Sequence, residues 1–319
     1  MFFLVLQLLG VFVIPILGDG VYFSYGVGVE DWGLISKYCD GLKQSPIALE
    51  SWDTEDGPIN KPPLQILNWE VNPTRVVVKN TGQTVAFFMT YPANRQLLLR
   101  GGPLNGSFAF AGLHFHWGSE HVDDEKRYPI EMHIVFYNRW YTSFEEAQYQ
   151  PNGLAAVGFF FEPNRNARTM RWVDSLKSIT RWGATYQFQN PYLMNLKAMI
   201  GQFKPYFAYS GSLTTPPCYE TVTWIIQRDP LIMTPVQMNL FQSLRSKTGY
   251  LRSNYRPLQD VNDRIVYLKA KREQMRNKRN FTKIIWSYTN FATVAEFFLT
   301  LMEIITLCHE NQTGSDHEE

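Results

Sequence analysis

The sequence predicts a mainly β (α+β) fold: one domain built on a large, mostly antiparallel sheet with short peripheral helices. Three observations carry this. Short β-rich runs recur between residues 64 and 270, each closed by turn residues: Arg75 to Lys79 before Asn80-Thr81-Gly82, Val85 to Thr90, Gln96 to Leu99 before Arg100-Gly101-Gly102-Pro103, and Ala155 to Phe161 before Glu162-Pro163-Asn164. Helical patterning is confined to Met170 to Ile179 and Thr234 to Ser246, the latter with Pro235 in its first turn. Hydrophobic residues make up 45% of the chain and charged residues 18%, enough apolar material for one substantial core. There are no internal repeats and no low-complexity linker. A net charge of +1 gives no basic face for nucleic acid and no acidic one for cationic partners.

Chemistry concentrates between Leu113 and His133. Of the six histidines, four (His114, His116, His121 and His133) lie here, while His309 and His317 sit in a polar tail. His114 and His116 are two apart, which on a strand places both imidazoles on one face. The residues after His121, with Asp123, Asp124, Glu125, Lys126 and Pro129, read as a turn region, and Ile130 to Tyr137 as a second strand. If the two runs pair as antiparallel neighbours, His133 faces the same point. Three neutral imidazoles leave one position open on zinc, which is the catalytic rather than the structural pattern. Two histidines on one strand face can equally be hydrogen-bonded polar groups of a sheet, so spacing alone does not decide.

Three blocks add a resemblance. His114-Phe-His116-Trp-Gly, Ser119-Glu120-His121 and Glu131-Met-His133-Ile-Val135 resemble the α-class carbonic anhydrases. Tyr209-Ser-Gly-Ser-Leu213-Thr214-Thr215-Pro-Pro-Cys218 with Val222-Thr-Trp224 forms the second block, and Gln44-Ser-Pro-Ile the third. The matches run in family order from about Tyr25 to Lys271. The resemblance implies a central twisted sheet of about ten strands. It implies Zn2+ on His114, His116 and His133, and reversible hydration of carbon dioxide to bicarbonate and a proton. It gives Thr214 the hydrogen bond of the attacking hydroxide and makes Glu120 the acceptor that orients Thr214. That pairing has a chemical logic, since a carboxylate can only accept and so forces the threonine oxygen to accept in turn. Thr214 and Thr215 would meet substrate, and Val135, Ala156, Leu213, Val222 and Trp224 would form an apolar wall for carbon dioxide. Ala156 stands where the family has a larger aliphatic residue. Around the ligands, Glu131 matches the partner of His133, the carbonyl of Asn254 the partner of His116, Tyr25 a water-ordering tyrosine, and His121 a structural histidine bonded to Tyr209 and Glu131. Sulfonamide-type and anion inhibitors follow from the same resemblance.

The chain also departs from the family pattern. The shuttle histidine is replaced by Gln83, in Asn80-Thr81-Gly82-Gln83, and an amide does not titrate; proton export then falls to water and external buffer. Gly112 replaces a glutamine that supports the first ligand, so weaker metal affinity is expected. The family tryptophan is Phe23. Gly118 runs directly into Ser119-Glu120, omitting several residues and leaving the pose of Glu120 open. The reading is a carbonic anhydrase of modest turnover. The alternative is a related extracellular binding or matrix protein with little catalysis.

The ends of the chain bear on compartment. Phe2 to Leu17 is almost wholly apolar, short for a membrane span, and reads as a secretory signal over 1–18 followed by a catalytic domain over 19–272. The expected compartment is therefore extracellular. There the resemblance pairs Cys39 with Cys218 in a disulfide, leaving Cys308 as a free thiol or an intermolecular link. Asn105, Asn280 and Asn311 head glycosylation sequons. Residues 273–319 form an extension. Its segment 291–308 has nine Phe, Leu, Ile and Val residues worth roughly −3 to −5 kcal/mol against about +5 to +7 for Glu296 and Glu303 in a membrane. An amphipathic helix follows, packed on its own domain, paired with another copy, or lying on a membrane surface.

Overall fold

The computed structural model describes residues 23–25, 29–56, 61–203 and 205–269. The expected signal segment, Asn280, Asn311, Cys308 and the 273–319 extension lie outside the described residues. The chain divides into two units between Lys269 and Ala270.

Fifteen strands follow in order: β1 Ala48–Leu49, β2 Glu55–Asp56, β3 Gln65–Leu67, β4 Arg75–Asn80, β5 Val85–Thr90, β6 Leu98–Arg100, β7 Ser107–Trp117, β8 Val122–Asp123, β9 Lys126–Arg127, β10 Ile130–Asn138, β11 Leu154–Pro163, β12 Thr185–Gln187, β13 Tyr206–Gly211, β14 Val222–Met233 and β15 Tyr267–Lys269. Twelve make one sheet, with path β12-β4-β5-β7-β10-β11-β14-β13-β15-β2 and β3 and β6 attached beside β7. Most pairings are antiparallel, as the hairpin-like spacing predicts. Within this sheet two are parallel, β11 with β14 and β15 with β2, and in a separate three-stranded sheet with β9, β1 also runs parallel to β8. The α-helices are short: α1 Trp32–Ile35, α2 Phe144–Ala147, α3 Leu196–Ile200 and α4 Pro235–Gln242. Thr234 caps α4 by accepting from the Gln237 amide, with Pro235 at the start, as its sequence requires. The other helical expectation resolves differently: Val173–Ser178 is a 3-10 helix. None of the described helices is long and apolar enough to cross a membrane.

Period-two alternation on the central strands decides where core and site lie. On β7, Leu113, Phe115 and Trp117 enter the main core; on β10 so do Ile130, Met132, Ile134 and Phe136; on β11, Ala155, Val157, Phe159 and Phe161. The intervening residues (His114, His116, Glu131, His133, Val135 and Ala156) therefore share the opposite face. One register shift, between Val135 and Phe136, places Val135 beside Gly112 and Phe136 beside Phe110, leaving Ala111 as an extra residue of β7. Between β8 and β9 the expected turn is a two-residue hairpin, with Asp124 and Glu125 both at positive φ (45° and 68°).

Cys39 and Cys218 are joined by a disulfide across 179 residues of sequence, tying the front segment to the loop before β14. Closing a loop of this length constrains the unfolded chain by about 5 kcal/mol in the chain-entropy picture. Replacing both cysteines with serine is expected to lower the unfolding free energy by up to that amount, read from denaturant midpoints with and without reductant.

Candidate metal centre

Strand pairing does what the spacing requires. β10 runs antiparallel to β7 with His133 directly opposite His114 and Glu131 opposite His116. The three imidazoles converge: ring centroids of His114 lie 5.1 Å from those of both His116 and His133, and His116 and His133 are 4.6 Å apart. One nitrogen from each falls within 4.8 Å of the others. His133 Nδ1 is 3.3 Å from His114 Nε2.

The other ring nitrogens identify the tautomers. His116 Nδ1 is 2.6 Å from the Asn254 carbonyl oxygen, so that nitrogen carries the hydrogen and Nε2 faces the convergence point. His133 Nε2 is 2.7 Å from Glu131 Oε1, leaving Nδ1 to face the same point. His116 Nε2 is buried with no hydrogen-bond partner. An orphaned buried acceptor is what a metal ligand becomes when described by protein atoms alone. Burial and the neighbouring imidazoles push His114 well below the usual histidine range and His116 down to about 3, so both rings are neutral, as ligation demands.

Glu131 anchors the set. It is fully buried, and burial would raise its pKa, yet His121 and His133 hold it well below the usual carboxylate range. Oε1 is 2.7 Å from both His121 Nδ1 and His133 Nε2, and Oε2 accepts from the His121 amide at 2.9 Å. His121 Nε2 is 2.7 Å from Tyr209 Oη, which lies 2.9 Å from Ser45 Oγ. Gly158 sits opposite His133 in β11, and a Cβ there would meet Ile226 at 2.5 Å and Glu131 Oε1 at 3.1 Å. Glycine here leaves room chiefly for the Ile226 side chain and, less tightly, for this carboxylate.

Among the described residues, His114 Nδ1 is buried without a hydrogen-bond partner, beside the side-chain-free Gly112. Glu120 is pinned at Oε1 by the Arg256 amide at 3.0 Å. Burial raises its pKa to about 7, against the His133, Thr214 and Arg256 contributions that favour its charged form. Thr214 thus faces the carboxylate, but Oε2 has no hydrogen-bond partner.

A cavity of about 30 Å³ opens at the convergence point. It is lined by the three histidines and by Tyr25, Val135, Ala156, Leu213, Thr214, Thr215, Val222 and Trp224, all expected from the sequence. Thr84, Phe144 and Leu154 line it as well. Leu154 precedes Ala156 by two on one strand, and that periodicity could have found it; Phe144 comes from α2, whose placement no local pattern signals. Gln83 is half-buried next to Thr84, its Nε2 donating to the Phe23 carbonyl at 3.4 Å. Asn105 is exposed on the turn before β7.

The family model for eukaryotic-type carbonic anhydrases matches residues 27–270. Human carbonic anhydrase 7 is 33% identical over 263 residues, covering 77% of this chain and 97% of the relative. Human carbonic anhydrase 3 is 31% identical over 75% of the chain and 94% of the relative, and carbonic anhydrase 1 of Monodelphis domestica 34% over the same shares.

Gly112→Gln would restore a donor–acceptor group beside His114 Nδ1. Zinc affinity measured by chelator competition is expected to rise by about tenfold; unchanged affinity would mean that Nδ1 needs no such partner.

Proposed function

The chain belongs to the eukaryotic-type carbonic anhydrases, and from that premise we propose that it is a zinc-dependent enzyme hydrating carbon dioxide reversibly, with slow internal proton transfer. One observation carries the reading: three converging imidazoles, two of them held neutral by burial and one of these with an orphaned, metal-facing nitrogen, set in a small and largely apolar cavity. His114, His116 and His133 would hold the ion. When bound, zinc supplies the Lewis acidity that lets water lose a proton near neutral pH.

The remaining roles belong to the chain. Thr214 and Glu120 orient the nucleophilic oxygen, the carboxylate accepting from the threonine so that the threonine oxygen is left to accept. Val135, Ala156, Leu213, Val222 and Trp224 give apolar carbon dioxide a surface that does not compete for hydrogen bonds. A carbon–oxygen bond forms, bicarbonate leaves, and one proton must depart for each turnover. Gln83 cannot carry it, and its amide is engaged with the Phe23 carbonyl. Buffer then becomes the proton acceptor. Anions and sulfonamide-type compounds are expected to inhibit at the same centre, and secretion is expected from the apolar N-terminal run.

A second reading, a carbonic-anhydrase-like binding protein of weak activity, is favoured by the Glu120 oxygen that no donor satisfies. Stopped-flow hydration of carbon dioxide by the zinc-replete protein across rising imidazole separates the two. Turnover that climbs with buffer supports the enzyme; background rates at every concentration, with zinc bound stoichiometrically, support the binding protein. In the enzyme, Gln83→His is expected to raise low-buffer turnover by about tenfold or more and to flatten the buffer dependence.

A further inference from the structure

The turn between β6 and β7 carries an exposed asparagine whose backbone is fixed from beneath. The Asn105 carbonyl accepts from Asn152 Nδ2 at 2.7 Å and from Asn138 Nδ2 at 3.4 Å. Leu104 before it is buried, while Asn105 itself is exposed. Gly106 follows at φ +111°, in the region that favours glycine, so the middle residue of Asn105-Gly106-Ser107 is the one this turn admits. Among the described residues the Asn105 side-chain amide has no hydrogen-bond partner, and neither has Ser107 Oγ. The nitrogen that an Asn-X-Ser sequence offers for modification is thus presented to solvent on a held backbone.

Beside it stands an aromatic ring that the fold leaves uncovered. Trp140, just past the end of β10, is 62% exposed. A Cβ on Gly106 would lie 3.5 Å from Trp140 Cε2, the ring carbon bonded to Nε1. Among the described residues Trp140 Nε1 has no hydrogen-bond partner. The fully buried Asn138 that reaches the Asn105 carbonyl also accepts from the Trp140 amide, through Oδ1 at 3.1 Å. The Arg139 amide donates to the Ser107 carbonyl at 3.0 Å. One buried side chain therefore ties the backbones of Asn105 and Trp140 together.

An indole in water exposes a large apolar face and an N–H donor. A sugar ring has the matching surface. The C–H bonds on one of its faces meet the electron-rich face of the indole, and its oxygens accept from Nε1. The first sugar of an Asn-linked chain starts one residue from Gly106, so it meets the indole with no backbone movement. A lone exposed aromatic is ordinary on a protein surface; this one adjoins a sequon anchored on the same buried asparagine.

We propose that Asn105 carries an N-linked glycan and that Trp140 is its platform, with the first N-acetylglucosamine lying on the indole. The inference goes beyond the catalytic reading and rests on the expected export of the chain. It gives the turn a stabilising cover, and it places the modification about 20 Å from the metal centre, measured along β7 from Ser107 to His114.

The test uses the full chain secreted by a eukaryotic cell. Peptide-level mass spectrometry is expected to find the glycan on Asn105 and to lose it with Ser107→Ala. Ser107→Ala is then expected to lower the thermal midpoint by about 2–4 °C in the wild-type background, and by less than about 1 °C in the Trp140→Ala background. The same variants made in the bacterial periplasm, which forms disulfides but adds no such glycan, are expected to show no coupling between the two substitutions. An unmodified Asn105 in the secreted protein would overturn the proposal. So would an equal loss in both backgrounds, or coupling of the same size without the glycan. Nuclear Overhauser contacts between sugar and indole protons in the glycosylated wild type are a second readout that needs no variant, and their absence would overturn it as well. None of these outcomes touches zinc binding or turnover, so this inference fails separately from the proposed function.

Discussion

A charged carboxylate shut away from water organises this site. Glu131 has no solvent to stabilise it, so protein donors must do so, and they do: His121 through ring and amide, His133 through its ring. Ionised buried groups without such partners are strongly disfavoured. Satisfying Glu131 fixes the His133 tautomer and links His121 to Tyr209 and Ser45. The metal-facing geometry of one ligand is thus set by a network extending to the front of the chain.

The same front segment is held by Arg256. Its guanidinium donates to Gln44 Oε1 at 2.8 Å, to the Ser45 carbonyl at 2.9 Å and to the Cys39 carbonyl at 3.0 Å, while its own amide binds Glu120. One residue therefore couples the disulfide-bearing segment to the carboxylate beside the metal. Burial lowers the guanidinium pKa to about 10, well above neutrality, so the charge persists. The Cys39–Cys218 link acts on the other side, holding the Thr214–Thr215 loop that forms part of the cavity wall.

The three imidazoles are not equally supported. His116 and His133 each have a firm partner on the nitrogen turned away from the convergence point, whereas His114 has none among the described residues. Ala156 and Gly112 both remove side-chain volume from the site face, while Phe144 and Leu154 help to close the wall.

Much of this was legible in the sequence. Alternation alone places His114 and His116 on one face and Leu113, Phe115 and Trp117 on the other, because side chains on a strand must alternate. The resemblance supplied the third ligand, the Asn254 carbonyl and the disulfide pairing, all of which depend on contacts between residues far apart in the chain. Local pattern failed where packing overrides it: Val173–Ser178 tightens into a 3-10 helix, and Phe144 reaches the cavity from a one-turn helix with no periodic signal. The sequence by itself determined the pair of histidines on one strand face, the strands that carry the site and the glutamine at position 83, since these are matters of residue type and period. Only the tertiary structure decided where Glu120 points, because that follows from a shortened turn, an Arg256 amide 136 residues away and the Arg127–Tyr255 brace, none of which any local run of residues encodes.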